Sequence, residues 1–392
     1  MRLCPIKEVK QGMLLGKSIY QPNGKLLLGA GYRISSEIRS KLVERKYNHI
    51  YIMEEGTEDV VPEDIISDEI RMQAKSTLEG KMSEIKKQSV FQNISHQKAI
   101  KLIEKGYLKN INITYDMRKI VEEILKDISS AGAQLLNTVL IKSADSYFLD
   151  HAINVTVLSI LIGRKYRFEH RELMSLALGS FLHDIGKSII EQLKGANKSE
   201  KARELYREHP TFGYLLLHNS QSQDITPIEI QIVNQHHEHQ DGSGFPIGLS
   251  GENLPPLKTV VRKTKRHIYR LAEICCISNV FDNLVFNPLK KEQLAPDQAI
   301  KKIILDAGTL YNKDVVQMLL NVVPHYPVGT SIKVMDIVDP QLIGYRGVVA
   351  KINDDNINKP VIILTKNKFL KKVKPIVIDT SKFTHVELKL MV

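Results

Sequence analysis

Two adjacent pairs, His183-Asp184 and His236-His237, each close an apolar segment with helical spacing, and that placement restricts what this chain can fold into. Glu172–Leu182 runs into His183-Asp184-Ile185-Gly186-Lys187, and Ile228–Val233 runs into His236-His237-Glu238. His151 opens a third apolar helix through Ile153, Val157, Leu161 and Ile162. His209-Pro210 begins a fourth, with proline near the first position, where a missing N–H costs nothing. Asn279 lies in a fifth apolar stretch, Ile277–Asp282. Imidazole and carboxylate are the usual ligands of divalent transition ions. A lone histidine is more often a satisfied core or surface residue, but His-Asp and His-His pairs that both end apolar helices point to a shared metal site. Neighbouring histidines on one helix face different directions, so His236 and His237 are expected to serve different ions or different edges of one cluster.

At 392 residues the chain is too long for one ordinary core. Hydrophobic residues make up 43% and charged residues 25%, the balance of a soluble globular protein. The sequence shows no basic leader followed by an apolar block, and no apolar run approaches the roughly 20 residues of a membrane helix. It therefore reads as cytoplasmic, with no membrane partner. Three cysteines, Cys4, Cys275 and Cys276, are too few for a disulfide framework and read as buried thiols. A formal charge of +11 and a pI near 9.2 favour anionic partners. Tryptophan is absent and no basic stretch carries interleaved aromatics, which disfavours nucleic acid.

The expected fold class is mainly α: a helical bundle core over 141–325, a small α+β unit over 1–60 before it, and a β-rich module over 326–392 after it. Leu15–Tyr20 and Lys25–Leu28 flank the turn signal Pro22-Asn23-Gly24; Ser35 or Ser36 caps a helix to about Arg45; His49–Met53 returns as a strand. Residues 61–140 read as a linker followed by polar helices, which either pack on a partner or act as a spacer. Beyond Pro327, β-branched runs at Ser331–Val334, Gly347–Ile352 and Pro360–Leu364 predict a small antiparallel sheet.

The order His151, His183-Asp184-Ile185-Gly186-Lys187, His209-Pro210, His236-His237-Glu238 and Asp241-Gly242-Ser243-Gly244-Phe245-Pro246 resembles the HD-GYP domain family, metal-dependent phosphohydrolases that act as bacterial cyclic di-GMP phosphodiesterases. The resemblance covers about residues 141–325. It implies an HD-type helical core and two divalent ions, Fe or Mn, held by His151, His183, Asp184, His209, His236 and His237, with Asn279 at the last ligand position. It further implies that Asp184 bridges the ions and that Lys187 contacts the scissile phosphate, making these two the catalytic residues. Lys187, Gly244 and Lys291 are the expected substrate contacts. Cyclic di-GMP is the implied partner, diguanylate cyclases of the GGDEF type are a second partner class, and a homodimer is open.

Three departures bear on activity. Asn279 stands where the family has an aspartate, so a ligand oxygen remains but its charge does not. Two unit charges about 4 Å apart interact by about 4 kcal/mol at an effective dielectric of 20, so metal affinity should fall. Asp282, one turn on, either substitutes for it or pairs with a surface cation. The family's Arg-Pro-Tyr stretch is replaced by Asn287-Pro288-Leu289-Lys290-Lys291; Arg262, Lys263, Lys265 and Arg266 either restore that charge or form a solvated face. Phe245 replaces a tyrosine, and Tyr147 occupies the position of a glutamate that gives some members a third metal. The leading expectation is hydrolysis of cyclic di-GMP to pGpG or GMP. The alternatives are a weakened module that acts as a cyclic di-GMP receptor or scaffold, and a hydrolase of another nucleotide.

Overall fold

The computed structural model describes residues 1–391 apart from 22–24, 46, 48, 114, 131–145, 195–198, 221–223, 264–265, 286, 288–293 and 354. The turn Pro22-Asn23-Gly24, Lys265 and Lys291 therefore lie outside the described residues. The protein is mainly helical, with small sheets at its start and a five-stranded sheet at its end.

The first unit folds as its punctuation predicts. Ser35 ends an extended segment, and its hydroxyl accepts from the Ile38 N–H, satisfying one of the unpaired donors at the start of the Ser36–Glu44 helix. His49–Met53 then runs antiparallel between Arg2–Pro5 and Leu14–Leu15. Alternate residues Cys4, Leu15, Ile50 and Ile52 bury one face of this sheet against Ile34 and Leu42.

The segment after Met53 holds no regular element up to Ser67, yet it is packed down: Val60 is buried with Val328, Val348, Ile352 and Ile363 of the last module. Three helices follow, Asp68–Lys86, His96–Glu104 and Tyr115–Ser130. Ser67 and Ser95 cap the first two through their hydroxyls. Their apolar stripes, including Leu78, Ile85, Ile103, Ile120 and Ile124, join the core of the helices beyond residue 146. These helices pack on the central domain and wall it.

That domain is built on Tyr147–Lys165, which is buried almost all round from Leu149 to Gly163. A helix without a polar face must lie inside a bundle, and this one packs against His170–Leu182, Arg270–Val285 and Asp68–Lys86. His209–Asn219 and Pro227–Gln235 complete the wall that carries the remaining histidines. No described helix is long and apolar enough to cross a membrane. Cys4, Cys275 and Cys276 are free, buried thiols, as expected.

The last module pairs Val386–Leu390, Ser331–Ile337, Arg346–Lys351, Val361–Lys366 and Lys372–Asp379 in that spatial order, all antiparallel. The three β-branched runs fall in its central strands. The two edge strands went unread: Pro375 interrupts the pattern of Lys372–Asp379, whereas Val386–Leu390 does alternate apolar and charged residues; lysines and proline at edges also protect them from unwanted pairing.

One close approach sets the geometry of the central domain. A Cβ on Gly186 would lie 2.1 Å from the His209 carbonyl oxygen and 2.6 Å from the Gly213 nitrogen. The corner after His183-Asp184 thus rests directly on the first turn of His209–Asn219. Gly186→Ala should lower unfolding stability by about 1–3 kcal/mol through overpacking, measured by urea denaturation. Gly80, in an exposed helix interior, is the contrast, because a Cβ there would meet nothing within 4 Å. Gly80→Ala should raise stability by about 0.5–1 kcal/mol.

Candidate metal centre

Four helix ends or first turns and one corner deliver the predicted residues to one place. His151 sits in the first turns of Tyr147–Lys165, His183 caps the end of His170–Leu182, and His209 starts His209–Asn219 with Pro210 behind it. His236 caps the end of Pro227–Gln235, whose start is fixed by Thr226 and Glu229 in a reciprocal capping pair. Asp184 follows His183 in the tight corner that leads to the short helix Lys187–Ile190. All four of these histidines and Asp184 are buried.

The outward nitrogen of each ring is spoken for. Nδ1 of His183 lies 2.7 Å from the Ser180 carbonyl, Nδ1 of His236 lies 2.8 Å from the Val233 carbonyl, and Nδ1 of His209 faces the Tyr206 carbonyl. Nδ1 of His151 lies 2.7 Å from Asp282 Oδ2. A carbonyl or carboxylate oxygen only accepts, so each Nδ1 carries the hydrogen and each Nε2 keeps a bare lone pair. Those lone pairs face one another: His151 and His183 Nε2 are 3.3 Å apart, and His209 and His236 Nε2 are 3.1 Å apart.

Asp184 lies between the two pairs. Its Oδ1 is 3.1 Å from His209 Nε2 and 3.9 Å from His236 Nε2, while its Oδ2 is 3.4 Å from His183 Nε2 and 3.8 Å from His151 Nε2. Two sets of metal-capable atoms result, His151-His183-Asp184 and His209-His236-His237. His236 and His237 fall in the same set. His237 lies beyond the end of its helix and stacks on Phe245, ring centroids 4.4 Å apart. Its Nε2 and Asp184 Oδ1 are buried with no hydrogen-bond partner among the described residues.

This donor set fits divalent cations. Unpartnered buried acceptors are costly, and two nitrogens each about 2.0–2.1 Å from a shared ion would be separated by about 3.0–3.4 Å. Burial, reinforced by neighbouring rings, holds the His236 and His237 pKa well below 6.5, and burial lowers those of His151 and His209. These rings are neutral, as ligands must be. Burial pushes the Asp184 carboxyl up, but Lys187 and His183 outweigh it and hold the group well below 3.8. Lys187 donates to Asp184 Oδ2, and its ammonium lies 4.9 Å from the Tyr206 ring centroid and 5.7 Å from that of Phe148. Its pKa is lowered by burial and raised by more through Asp184 and Tyr206, so it stays charged.

The remaining expectations have different outcomes. Asn279 is buried on Arg270–Val285, and its side-chain oxygen accepts from Asn283 Nδ2 at 2.6 Å. Asp282 is buried, and its Oδ2 faces His151 Nδ1 and orients that ring. Tyr147 stacks on His151, centroids 5.5 Å apart, and its hydroxyl donates to Asn283 Oδ1 at 2.6 Å. Gly244 packs on its own chain: a Cβ there would be 2.4 Å from His239 N and 2.5 Å from His237 O, so only glycine lets the 241–246 loop lie against the histidine pair. Arg262 is not a solvated cation but pairs with buried Glu273 at 3.0 Å. Lys291 falls outside the described residues.

Glu238 and Tyr206 were missed as parts of the site, and Asp282 was weighed only as a substitute ligand or a surface partner, not as the carboxylate behind His151. Glu238 is buried and accepts from the N–H groups of Ile247 at 2.7 Å, Gly248 at 3.2 Å and Leu249 at 2.8 Å, which pins the loop carrying Phe245. Its position directly after His236-His237 was the available signal.

The depressed pKa values have a stability consequence. Unfolded imidazoles take up protons near pH 6.5 while the buried rings do not, so stability present above about pH 6.5 is lost as pH falls toward the folded values. The melting temperature of chelator-treated protein should fall between about pH 7 and pH 5. His49, pushed down to about 4 by burial, contributes in the same window, so the difference made by His236→Asn is the readout. That variant should flatten the fall; an unchanged slope would contradict a buried neutral ring.

The family model described as HD domain matches residues 134–315. The chain is 30% identical over 163 residues to the cyclic di-GMP phosphodiesterase response regulator RpfG of Xanthomonas campestris, 41% of this chain and 39% of that protein. It is 25% identical over 218 residues to the cyclic di-GMP phosphodiesterase PA4108 of Pseudomonas aeruginosa, 55% of this chain and 48% of that protein. It thus spans less than half the length of either relative. A 3'3'-cGAMP-specific phosphodiesterase of Vibrio cholerae is 24% identical over 219 residues, 55% of this chain and 38% of that protein. Among solved structures, Bd1817 from Bdellovibrio bacteriovorus, described as a HDG"Y"P protein, is 18% identical with a TM-score of 0.43, covering 81% of this chain and 97% of that one. The stretch that matches the HD domain model, 134–315, carries the adjacent His183-Asp184 at the centre of the cluster.

Proposed function

We propose that this domain is a metal-dependent phosphodiesterase that hydrolyses cyclic di-GMP to pGpG or GMP. The observation that carries the reading is the pair of Nε2···Nε2 approaches at 3.3 and 3.1 Å with both oxygens of Asp184 between them. His151, His183 and Asp184 would hold one divalent ion, and Asp184, His209, His236 and His237 a second, with Fe or Mn expected and Asn279 offering a neutral oxygen at the edge. Such ions supply Lewis-acid charge to a phosphoryl group and acidify water.

The chain's own residues account for the rest. Burial keeps the imidazoles unprotonated at neutral pH, so they remain lone-pair donors. Lys187 keeps its charge beside Asp184 and Tyr206, where it can donate to a phosphoryl oxygen as negative charge develops. Phe148 and Tyr206 flank the Lys187 ammonium and Phe245 stacks on His237, so aromatic rings line the site. Gly244 and Lys291 remain the expected further substrate contacts. The relatives' names, which specify cyclic di-GMP or 3'3'-cGAMP, support a cyclic dinucleotide as substrate. Diguanylate cyclases, as the source of cyclic di-GMP, are the matching partner class.

A second reading has a specific observation behind it. The Asn279 oxygen is engaged by Asn283 and carries no charge, which favours a receptor that binds the dinucleotide without turning it over.

Protein loaded with Mn or Fe should hydrolyse cyclic di-GMP, followed by chromatography of the nucleotides, and His183→Ala or chelation should abolish turnover. Binding without turnover under any divalent metal would favour the receptor. In either case Asn279→Asp should tighten metal binding at least about tenfold, since about 1.4 kcal/mol is well within the interaction of a carboxylate with a nearby cation.

A further inference from the structure

His151 is not held by its own domain alone. Its Nδ1 lies 2.7 Å from Asp282 Oδ2, and the other oxygen of Asp282 accepts from Asn154 Nδ2 at 3.0 Å. Asn154 Oδ1 in turn accepts from an Arg71 guanidinium N–H at 3.3 Å. Arg71 belongs to the Asp68–Lys86 helix, outside the stretch that matches the HD domain. One turn further along the same face, Lys75 lies 2.6 Å from Asp150 Oδ1, and Ser146 donates to Asp150 Oδ2 at 2.6 Å. Asp150 immediately precedes His151.

The direction of this chain is fixed chemically. Arginine only donates, so its partner on Asn154 must be the amide oxygen, which turns the amide nitrogen toward Asp282. A carboxylate only accepts, so His151 must place its hydrogen on Nδ1 and leave Nε2 bare toward His183 and Asp184. Without Arg71 the Asn154 amide could turn over and set its oxygen against Asp282. Arg71 thus selects the tautomer and orientation of a ring two side chains away. On its other side Arg71 lines a cavity with Lys75, with Lys17, Tyr20 and Tyr51 of the first unit, and with Asp64 of the segment after it. Arg71 Nε is buried there without a partner among the described residues.

We infer that Arg71 and Asn154 are positioning residues of the metal centre, so that the helix preceding the HD domain sets the ligand quality of His151. This rests on the metal-site reading but not on any substrate. The mechanism differs from general packing because the hydrogen-bond direction matters, not the volume filled.

The test is Mn²⁺ binding to the full chain, followed by electron paramagnetic resonance without nucleotide, with thermal melts of each chelated variant as the folding control. Loss of an outer partner of a metal-bound histidine typically weakens metal binding about 10–100-fold. Asn154→Ala should therefore weaken Mn²⁺ binding about tenfold, and Arg71→Met about threefold or more, in keeping with coupling through contiguous networks. Arg71→Lys, which restores a donor, should recover most of the loss, and Glu79→Ala on the exposed face of the same helix should change nothing. Unaltered affinity in Asn154→Ala and Arg71→Met, or no recovery in Arg71→Lys, overturns the inference while leaving the metal site standing. No Mn²⁺ binding by the unaltered protein overturns the metal-site reading and the inference with it.

Discussion

Bare imidazole nitrogens pointed at one another are the constraint on which this structure turns. Four rings donate their Nδ1 hydrogens outward, to three backbone carbonyls and one carboxylate, so four lone pairs converge around Asp184. In a buried setting such an arrangement is electrostatically unfavourable by itself, and protonating the rings is opposed by burial. Cations resolve the conflict. Much of the central fold serves to hold these donors in place: the corner at Gly186 resting on His209, the loop at Gly244 resting on His237, and Glu238 pinning that loop.

The same logic extends beyond the ligands. Acceptor-only groups behind the rings decide which nitrogen is available, and they come from different places. For His183, His209 and His236 they are carbonyls three residues earlier in the chain, which local helix-end geometry supplies. For His151 the acceptor is a side chain from another helix, so its orientation depends on tertiary packing and on the residues behind Asp282. This difference makes His151 the ring most open to influence from the helices that precede the domain.

The ligand cluster was legible in the sequence because each member ends or begins an apolar helix, and such helices have few ways to pack without bringing those ends together. His236 and His237 could be placed only as two edges or two ions, since the point where their helix stops is not written in spacing. Asp282 was harder, because its burial depends on Arg270–Val285 packing against Tyr147–Lys165, and a lone aspartate one turn beyond Asn279 carries no mark of that. Arg262 read as solvated because its partner Glu273 sits on a helix whose buried face shows only in the packed domain. The helix cap at Ser35 is local and could be read directly; Lys372–Asp379 is interrupted by Pro375, while Val386–Leu390 carried a readable alternation that was passed over.

Anomalous X-ray scattering at the manganese edge, from crystals of the metal-loaded protein, addresses the central claim most directly. The account predicts manganese beside the His151–His183 pair and beside the His209–His236 pair, with Asp184 contacting both. Manganese bound elsewhere, or rings turned so that Nδ1 rather than Nε2 faces Asp184, would contradict it.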